Sequence, residues 1–244
     1  MRTRVSILPH FLNPKLVLTA SNQEKAPFVM KKIHISLLTA VAVFVCGCGW
    51  QGIRGNGHII TDQRTVGAFS EIEADGTFDI EWRAGAPALS IITDENLLQY
   101  IDNQNVDHRL RLHSHGNLWP THRIKVVVSS PTRTGAKLTG ATRLTASQIS
   151  GAKFAVQSTG AARVTLDGTI DELLADMTGA SQLSAKSLQT KTAQISTTGA
   201  ADADIAVSDT LRVSITGAGK VFYSGNPKTL EKHITGAGSI RQKG

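Results

Sequence analysis

The chain has 244 residues and a formal net charge of +7, but most of the excess positive charge lies near its N-terminus. Residues 1–47 hold six Lys or Arg and one acid, whereas the rest of the chain holds 20 basic and 18 acidic residues. A nearly neutral body argues against nucleic acid as a partner. The only cysteines, Cys46 and Cys48, precede the body, which excludes a disulfide framework within it.

Residues 30–47 have the composition of a secretory signal peptide. Two lysines follow Met30 and precede an uncharged, mostly apolar run over residues 33–45, which is too short to span a membrane. The Gly47-Cys48 pair after this run resembles the cleavage site of a bacterial lipoprotein, with Cys48 as the lipid-modified residue. We therefore expect an exported protein of the cell envelope that is attached to a membrane through a lipid anchor.

The segments on either side of the signal peptide lack the pattern of a folded domain. Residues 1–29 contain three prolines and no apolar periodicity. We interpret them as an extra leader, either because translation begins at Met30 or because the leader is long. Residues 48–63 are rich in glycine and polar residues, which predicts a flexible tether. Gly49 after the cysteine, where an acid is absent, favours the outer membrane by resemblance to other lipoproteins.

Residues 64–244 are expected to form a single domain whose first part is rich in β-strands. Residues 78–82 and 110–112 alternate apolar with charged side chains, and residues 124–128 form an apolar run, patterns typical of strands. Residues 94–101 begin with acids and carry apolar residues three and four positions apart, which predicts one short helix at most. We expect this part to cover the first coil of the repeats that follow.

Residues 134–244 repeat the tripeptide Thr-Gly-Ala at intervals of 18 to 20 residues. A fixed period of this size indicates a solenoid, in which each coil buries its apolar side chains against its neighbours. Glycine adopts positive φ angles without steric cost, so we expect each triplet to form a corner of its coil. The predicted corner glycines are Gly140, Gly160, Gly179, Gly199, Gly217 and Gly236.

Apolar residues recur five and seven positions after each triplet threonine, as at Leu144 and Ala146, with a mostly polar residue between them. This alternation predicts a short strand with one buried face. The abundance of Thr, Val, Ile, Ser and Gly argues against a helical solenoid. Residues 170–174 have a helical pattern but are too few to form a helix alone. The sequence therefore predicts an all-β solenoid with coils of about 19 residues.

Several segments resemble the putative auto-transporter adhesin head domain family, also called the GIN domain. They are residues 69–72 leading to Gly76, residues 94–98, residues 110–112, residues 124–131, and the triplet coils down to residues 238–240. The resemblance covers roughly residues 60–244. It implies a right-handed β-helix on an exported, often lipid-anchored, bacterial protein. The family implies no catalytic residues, and its function is not established.

Candidate sites for chemistry are few. His113 and His115 lie two residues apart, so both side chains point to one face of a strand at a spacing that can hold a transition metal. His108 and His122 lie near them in sequence, although an exposed histidine-bearing strand explains the same pattern. Asp202 and Asp204 also share a face and can bracket a cation or solvate a strand. We predict no cofactor, because the chain lacks phosphate-loop, nucleophile-elbow and zinc-protease motifs.

These patterns favour a non-enzymatic lipoprotein that acts as a binding or adhesion module, with a glycan or a protein as the ligand. A structural component of the envelope that associates with itself through the ends of the solenoid is the main alternative. A polysaccharide-active enzyme is a third reading, since related solenoids carry such activity, but a fold alone does not determine function.

Overall fold

The structure, a computed structural model, describes residues 52–243, and these are almost entirely β-strand. The predictions for residues 1–29, the signal peptide at residues 30–47, lipidation at Cys48 and the first residues of the tether lie outside this part of the chain. Among the described residues, no helix is long and apolar enough to cross a membrane.

The first part of the body contains nine strands and a single 3-10 helix, Glu95–Tyr100. The strands are β1 Ile53–Arg54, β2 Ile59–Arg64, β3 Glu71–Gly76, β4 Phe78–Ala84, β5 Ala88–Asp94, β6 Ile101–Val106, β7 Arg109–Ser114, β8 Leu118–Trp119 and β9 Ile124–Ser130. The strands predicted at residues 78–82, 110–112 and 124–128 are thus β4, β7 and β9.

The second part of the body consists of strands that follow the triplet repeat. They are β10 Gly135–Gly140, β11 Arg143–Gly160, β12 Arg163–Gly179, β13 Gln182–Gly199, β14 Asp202–Gly217, β15 Lys220–Ser224, β16 Thr229–Gly236 and β17 Ser239–Gln242. Strands β11 to β14 pair in parallel on both sides, β16 and β17 pair in parallel with the preceding coil, and the stack has about five turns. The predicted β-solenoid is confirmed. Residues 170–174 belong to β12 and are extended.

Strand β12 shows how one coil is built. Val164 and Leu166 point into the coil, and Leu173 and Met177 do so further along the same strand. The alternation of buried and exposed residues slips at residues 167–169 and again at residues 171–172, where the strand turns a corner. The apolar side chains of successive coils thereby form one continuous core along the solenoid.

The triplet glycines form a column in which each stacks on the glycine of the preceding coil. Gly160 has φ of 109°, and a Cβ atom built on it would lie 2.8 Å from the carbonyl oxygen of Gly140. The next amide, that of Ala161, donates a hydrogen bond of 2.9 Å to the same oxygen. Glycine is needed both for the backbone conformation and for this close approach. The other triplet glycines also have positive φ, namely Gly140, Gly179, Gly199, Gly217 and Gly236.

The crowded position at this corner is one residue later than the triplet suggests. The triplet alanines, such as Ala161 and Ala180, are exposed. The residues that follow them, Ala162 and Ser181, are 1% and 2% exposed. Small side chains are therefore required at the residue after the triplet, where the chain turns back toward the core.

The first part of the body adds two coils to the stack in an order that differs from the chain order. Strands β3 and β4 pair in parallel with β10 and β11, and strands β7 and β9 pair in parallel with the other edges of β3 and β4. Gly76 therefore heads the glycine column, because it lies in register with Gly140. Strands β5 and β6 then run antiparallel to β9 and β7 and cover the end of the solenoid.

The chain passes from β9 to β10 across one intervening coil, and Arg133 lies at this crossing. The ladder between β11 and β4 ends at Ala146, so the next carbonyl groups lack a strand beneath them. The Arg133 guanidinium donates to the carbonyl oxygens of Ser147 and Gln148. Arg133 is only 4% exposed, and this burial lowers its pKa from the ordinary arginine value. The arginine thus satisfies backbone acceptors that a strand satisfies elsewhere.

The prediction of a flexible tether does not hold for residues 52–63. Strand β1 pairs with β8, and β2 pairs with β5. A Cβ atom at Gly55 would lie 2.3 Å from the carboxylate of Asp94, so this glycine permits close packing. The Asp94 carboxylate, fully buried, accepts hydrogen bonds from the amides of Gly57 and Thr121 at 2.7 and 2.9 Å. The N-terminal segment is therefore fixed to the body.

Candidate binding face

The strand segments that end at the triplet glycines form one parallel sheet together with β3 and β7, and we call its outward surface the triplet face. The sheet comprises β7, β3, β10, the last six residues of each of β11 to β14, and β16, in that spatial order. The side chains just before the corner glycines form a column that is in register from one strand to the next. The column contains His113, Asp75, Thr139, Thr159, Thr178, Thr198, Thr216 and Thr235.

The histidine pair lies at the N-terminal end of this column. The rings of His113 and His115 are edge to face with their centroids 4.6 Å apart, so the two side chains share one face of the strand. His113 Nδ1 lies 3.2 Å from Asp75 Oδ2, and His115 Nε2 lies 2.5 Å from Asp102 Oδ2. Each histidine thus has its own carboxylate partner, contributed by a different strand.

His113 and His115 were the candidate metal ligands of this region. Between residues 52 and 243, no three His, Cys, Asp or Glu side chains are grouped so that they could hold a metal ion. His108 and the preceding Asp107 have positive φ angles of 59° and 51° and form the tight turn between β6 and β7. His122 Nδ1 lies 3.3 Å from the hydroxyl of Thr121 and away from the pair. The four histidines therefore do not converge.

A network of charged side chains continues across the triplet face from the histidines. Arg109 Nε donates to Glu71 Oε2 at 2.9 Å, and Lys137 Nζ donates to Glu73 Oε1 at 2.8 Å. The hydrogen bond from Lys137 and the nearby arginines hold the pKa of Glu73 below its ordinary value, against the opposing effect of burial. Contact with Glu71 raises the pKa of Arg109. These pairs join strands that are distant in sequence, which favours one register over its alternatives.

The face is interrupted by a cleft of about 220 Å³ beside this network. Gly135 and Ala155 form its floor, because neither presents a side chain larger than methyl. Its walls include Arg109, Lys137 and Gln157. These groups offer donors and acceptors on neighbouring strands of one sheet, as the recognition of a polar ligand requires. The sequence did not point to this cleft, since its lining residues come from four separate strands.

Several acids of the repeats lie within ion-pair distance of a lysine from another coil. Asp171 lies 2.7 Å from Lys191, Glu172 lies 3.6 Å from Lys153, and Asp209 lies 2.9 Å from Lys228. Asp204, one of the two predicted cation ligands, lies 2.6 Å from Lys243 Nζ. The other, Asp202, accepts a hydrogen bond of 2.9 Å from the amide of Lys220. These side chains stabilise the stacking and form no paired acid and base.

The fold and the polar face together define a parallel β-solenoid domain, and comparison with known families makes this assignment specific. Residues 68–227 match the family described as "Putative auto-transporter adhesin, head GIN domain". The chain belongs to this family, as the sequence resemblance predicted. No curated protein matches the chain at a significant level.

Several solved structures share the fold. A putative adhesin from Bacteroides fragilis superposes with a TM-score of 0.65 at 21% identity, covering 79% of this chain and 100% of its own. A putative adhesin from Parabacteroides merdae gives 0.51 at 20% identity, covering 79% of this chain and 99% of its own. A putative lipid binding protein from Parabacteroides distasonis gives 0.51 at 19% identity, covering 80% and 100%. At these identities the likeness establishes the fold alone.

Proposed function

We propose that this protein is a non-enzymatic adhesion module that binds its ligand on the triplet face. The observation that carries the proposal is the cleft at Gly135 and Ala155, where charged and polar side chains of neighbouring strands surround a floor of two small residues. Membership of an adhesin-like family supports the same class of function. Asp171, Glu172 and Asp209 of the repeats lie in ion pairs between coils, an arrangement that favours a structural role for them over catalysis.

The chemistry of the cleft favours a polar ligand, either a glycan or a protein segment. Arg109, Lys137 and Gln157 provide donors, and Glu71 provides an acceptor. No aromatic side chain lines this cleft. Binding therefore depends on hydrogen bonds and charge, and repeated weak contacts along the face increase the overall affinity.

The test is binding of the full chain to an array of glycans and extracellular-matrix proteins. Ala155→Trp fills the floor of the cleft and should abolish binding to any ligand that the unaltered protein retains. Thr165→Trp is the matched control, because Thr165 is exposed on a different side of the same coil stack. Equal loss of binding in both variants, or no loss in Ala155→Trp, would rule out the cleft as the binding site. Absence of any ligand on the array would count against adhesion itself.

We also propose that Cys48 carries a lipid that anchors the protein to the outer membrane. The support is the signal-peptide pattern of residues 30–47 followed by Gly47 and Cys48. Cys48→Ser should move the protein from the membrane fraction to the soluble fraction, whereas Cys46→Ser should leave it in place. Retention of Cys48→Ser in the membrane fraction would contradict the anchor.

A second candidate function is structural, in which copies of the protein associate through an end of the solenoid. The observation that favours it is the C-terminal end, where Leu230 and Ile234 are each 39% exposed. This candidate is compatible with adhesion, because the triplet face and the end of the stack are different surfaces.

A further inference from the structure

We propose that strand β16 docks a second copy of this chain across a two-fold axis at Lys232. The strand is paired on one side only, with β14, and its other edge has no strand beside it among residues 52–243. Such an edge presents unpaired amide and carbonyl groups that pair readily with another strand. The inference is independent of ligand binding on the triplet face.

The core of the solenoid is open at this edge. Leu230 and Ile234 lie in register with Leu211 and Ile215, both of which are fully buried. Leu230 and Ile234 therefore point along the core, yet each is 39% exposed because no strand among residues 52–243 packs over them. Covering them removes apolar surface from water, which favours association.

The opposite end of the solenoid is a poor partner for this edge. Its outer strand β6 carries Asn103 and Asn105 in register with the buried Leu112 and Leu110, so two of its three inward positions are polar, the third being the buried Ile101. Arg64 also donates to the carbonyl oxygen of Ile101 at 2.6 Å and to Asn103 Oδ1 at 2.9 Å. Stacking of one copy's C-terminal end on another copy's N-terminal end would set apolar side chains against amides. A tail-to-tail arrangement avoids this mismatch.

The sequence of β16 is complementary to itself when two copies run antiparallel. The strand reads Thr-Leu-Glu-Lys-His-Ile-Thr over residues 229–235. With Lys232 opposite the partner copy's equivalent residue, threonine faces threonine, Leu230 faces isoleucine, and Glu231 faces histidine. Opposed apolar pairs and hydrogen-bonding polar pairs stabilise antiparallel strands. A two-fold axis generates each of these pairs twice, as an isologous interface requires.

Lys232 is the one residue that opposes this pairing. It lies in register with the buried Val213, so its stem points along the core, and the symmetry sets it against a second lysine. Inward-pointing charges are a common means of limiting edge pairing. The charge therefore keeps the association weak and reversible, and its removal should strengthen the dimer.

The first experiment measures association of the full chain by sedimentation equilibrium, with Cys48→Ser throughout so that no acyl chain contributes. Lys232→Ile should raise the dimer association constant at least roughly tenfold, because it removes an uncompensated charge from the interface. Lys232→Glu alone should associate as weakly as the unaltered protein. An equimolar mixture of Lys232→Glu with the unaltered protein should form a tighter heterodimer. An unchanged association constant in Lys232→Ile, with a native circular dichroism spectrum, would overturn the proposal.

A second experiment tests the symmetry directly. A residue on the two-fold axis faces its own copy, and directly opposed antiparallel residues lie within the Cα separation that a disulfide bridges. In a chain with Cys46→Ser and Cys48→Ser, Lys232→Cys should give covalent dimers on mild oxidation. The matched Asn103→Cys variant at the covered end should give at least tenfold less. Equal cross-linking of the two variants, or assemblies larger than a dimer in Lys232→Ile, would show that the partner is not docked tail to tail.

Discussion

The two ends of the solenoid differ in how they cover the apolar core. At the N-terminal end, β5 and β6 run antiparallel to the coils, and the inward positions of β6 hold the buried Ile101 followed by Asn103 and Asn105. At the C-terminal end, β16 continues the repeat, and its inward Leu230 and Ile234 are partly exposed. The coils are alike, so the difference comes from residues that do not follow the repeat. A repeat builds a core but does not close it.

The largest expected effect compares a glycine in the middle of the column with the last one. Gly160→Val should cost about 4 kcal/mol, because positive φ costs roughly 1–3 and the collision with Gly140 adds roughly 1–3. Gly236→Val makes the same collision with Gly217, but the final coil can separate from the stack. The loss there should stay below about 1 kcal/mol. Urea unfolding of both variants measures the difference, and equal losses would show that the last coil is as fixed as the interior.

The same leucine substitution at each end gives the next largest effect. Leu112→Ala, in β7, removes a side chain that is 1% exposed and should cost about 3 kcal/mol. Leu230→Ala, in β16, should cost less than about 1 kcal/mol in the monomer, since the side chain is only partly covered. Thermal unfolding at low protein concentration distinguishes the two, and a larger cost at Leu230 would mean that the C-terminal end is already covered.

The N-terminal end should also lose stability in acid through Asp94. Burial by itself would raise the pKa of this carboxyl, but hydrogen bonds from Thr121 and Gly57 outweigh it and leave the pKa below its ordinary value of 3.8. A depressed pKa in the folded state contributes stability above the ordinary value, and this contribution is lost as the pH falls below it.

Asp94→Asn should therefore lose about 2 kcal/mol at pH 7, because two amides and a hydroxyl lose their charged acceptor. The variant should also lose less further stability than the unaltered protein between pH 5 and pH 3 in urea unfolding. Asp79→Asn, at a surface pair 3.4 Å from Arg143, is the matched control and should stay within about 0.5 kcal/mol. If Asp94→Asn lost as much stability between pH 5 and pH 3 as the unaltered protein, this carboxyl would not be the cause of the acid sensitivity.

The smallest effect concerns two buried threonines of β13 in the middle of the stack, away from both ends. Thr197 Oγ1 has no hydrogen-bond partner within the described structure, so Thr197→Val should be neutral or stabilising by up to about 1 kcal/mol. Thr190 Oγ1 donates to the carbonyl oxygen of Ala206 at 2.7 Å, so Thr190→Val should cost about 1 kcal/mol. Chemical denaturation of the two variants shows whether a buried hydroxyl stabilises the interior coils only when it has a hydrogen-bond partner.

The coils could be predicted from the sequence because each repeat contains both the triplet and the apolar positions that follow it. The residues five and seven positions after each triplet threonine are buried in the complete coils, as at Leu144 and Ala146. The position of β3 and β4, between strands that come later in the chain, could not be predicted from the sequence, because it depends on pairing between residues more than 60 positions apart. Only Gly76, preceded by Asp75 in place of threonine, hinted that the glycine column begins there.

The glycine-rich segment before the body was misjudged for a related reason. Composition alone suggested flexibility, whereas Gly55 permits contact with the carboxylate of Asp94, a partner distant in sequence. For the candidate sites, the spacing of His113 and His115 correctly placed both on one face. Their partners Asp75 and Asp102, and the cleft beside Gly135, arise only from the folded stack.

The most direct test of the difference between the ends is amide hydrogen exchange at two protein concentrations. At low concentration, β16 and β17 should exchange fastest among the strands, while β6 and β7 at the covered end remain protected. At high concentration, β16 alone should gain protection, because a second copy pairs with its free edge. Equal exchange at the two ends, or protection of β16 that does not change with concentration, would contradict the account.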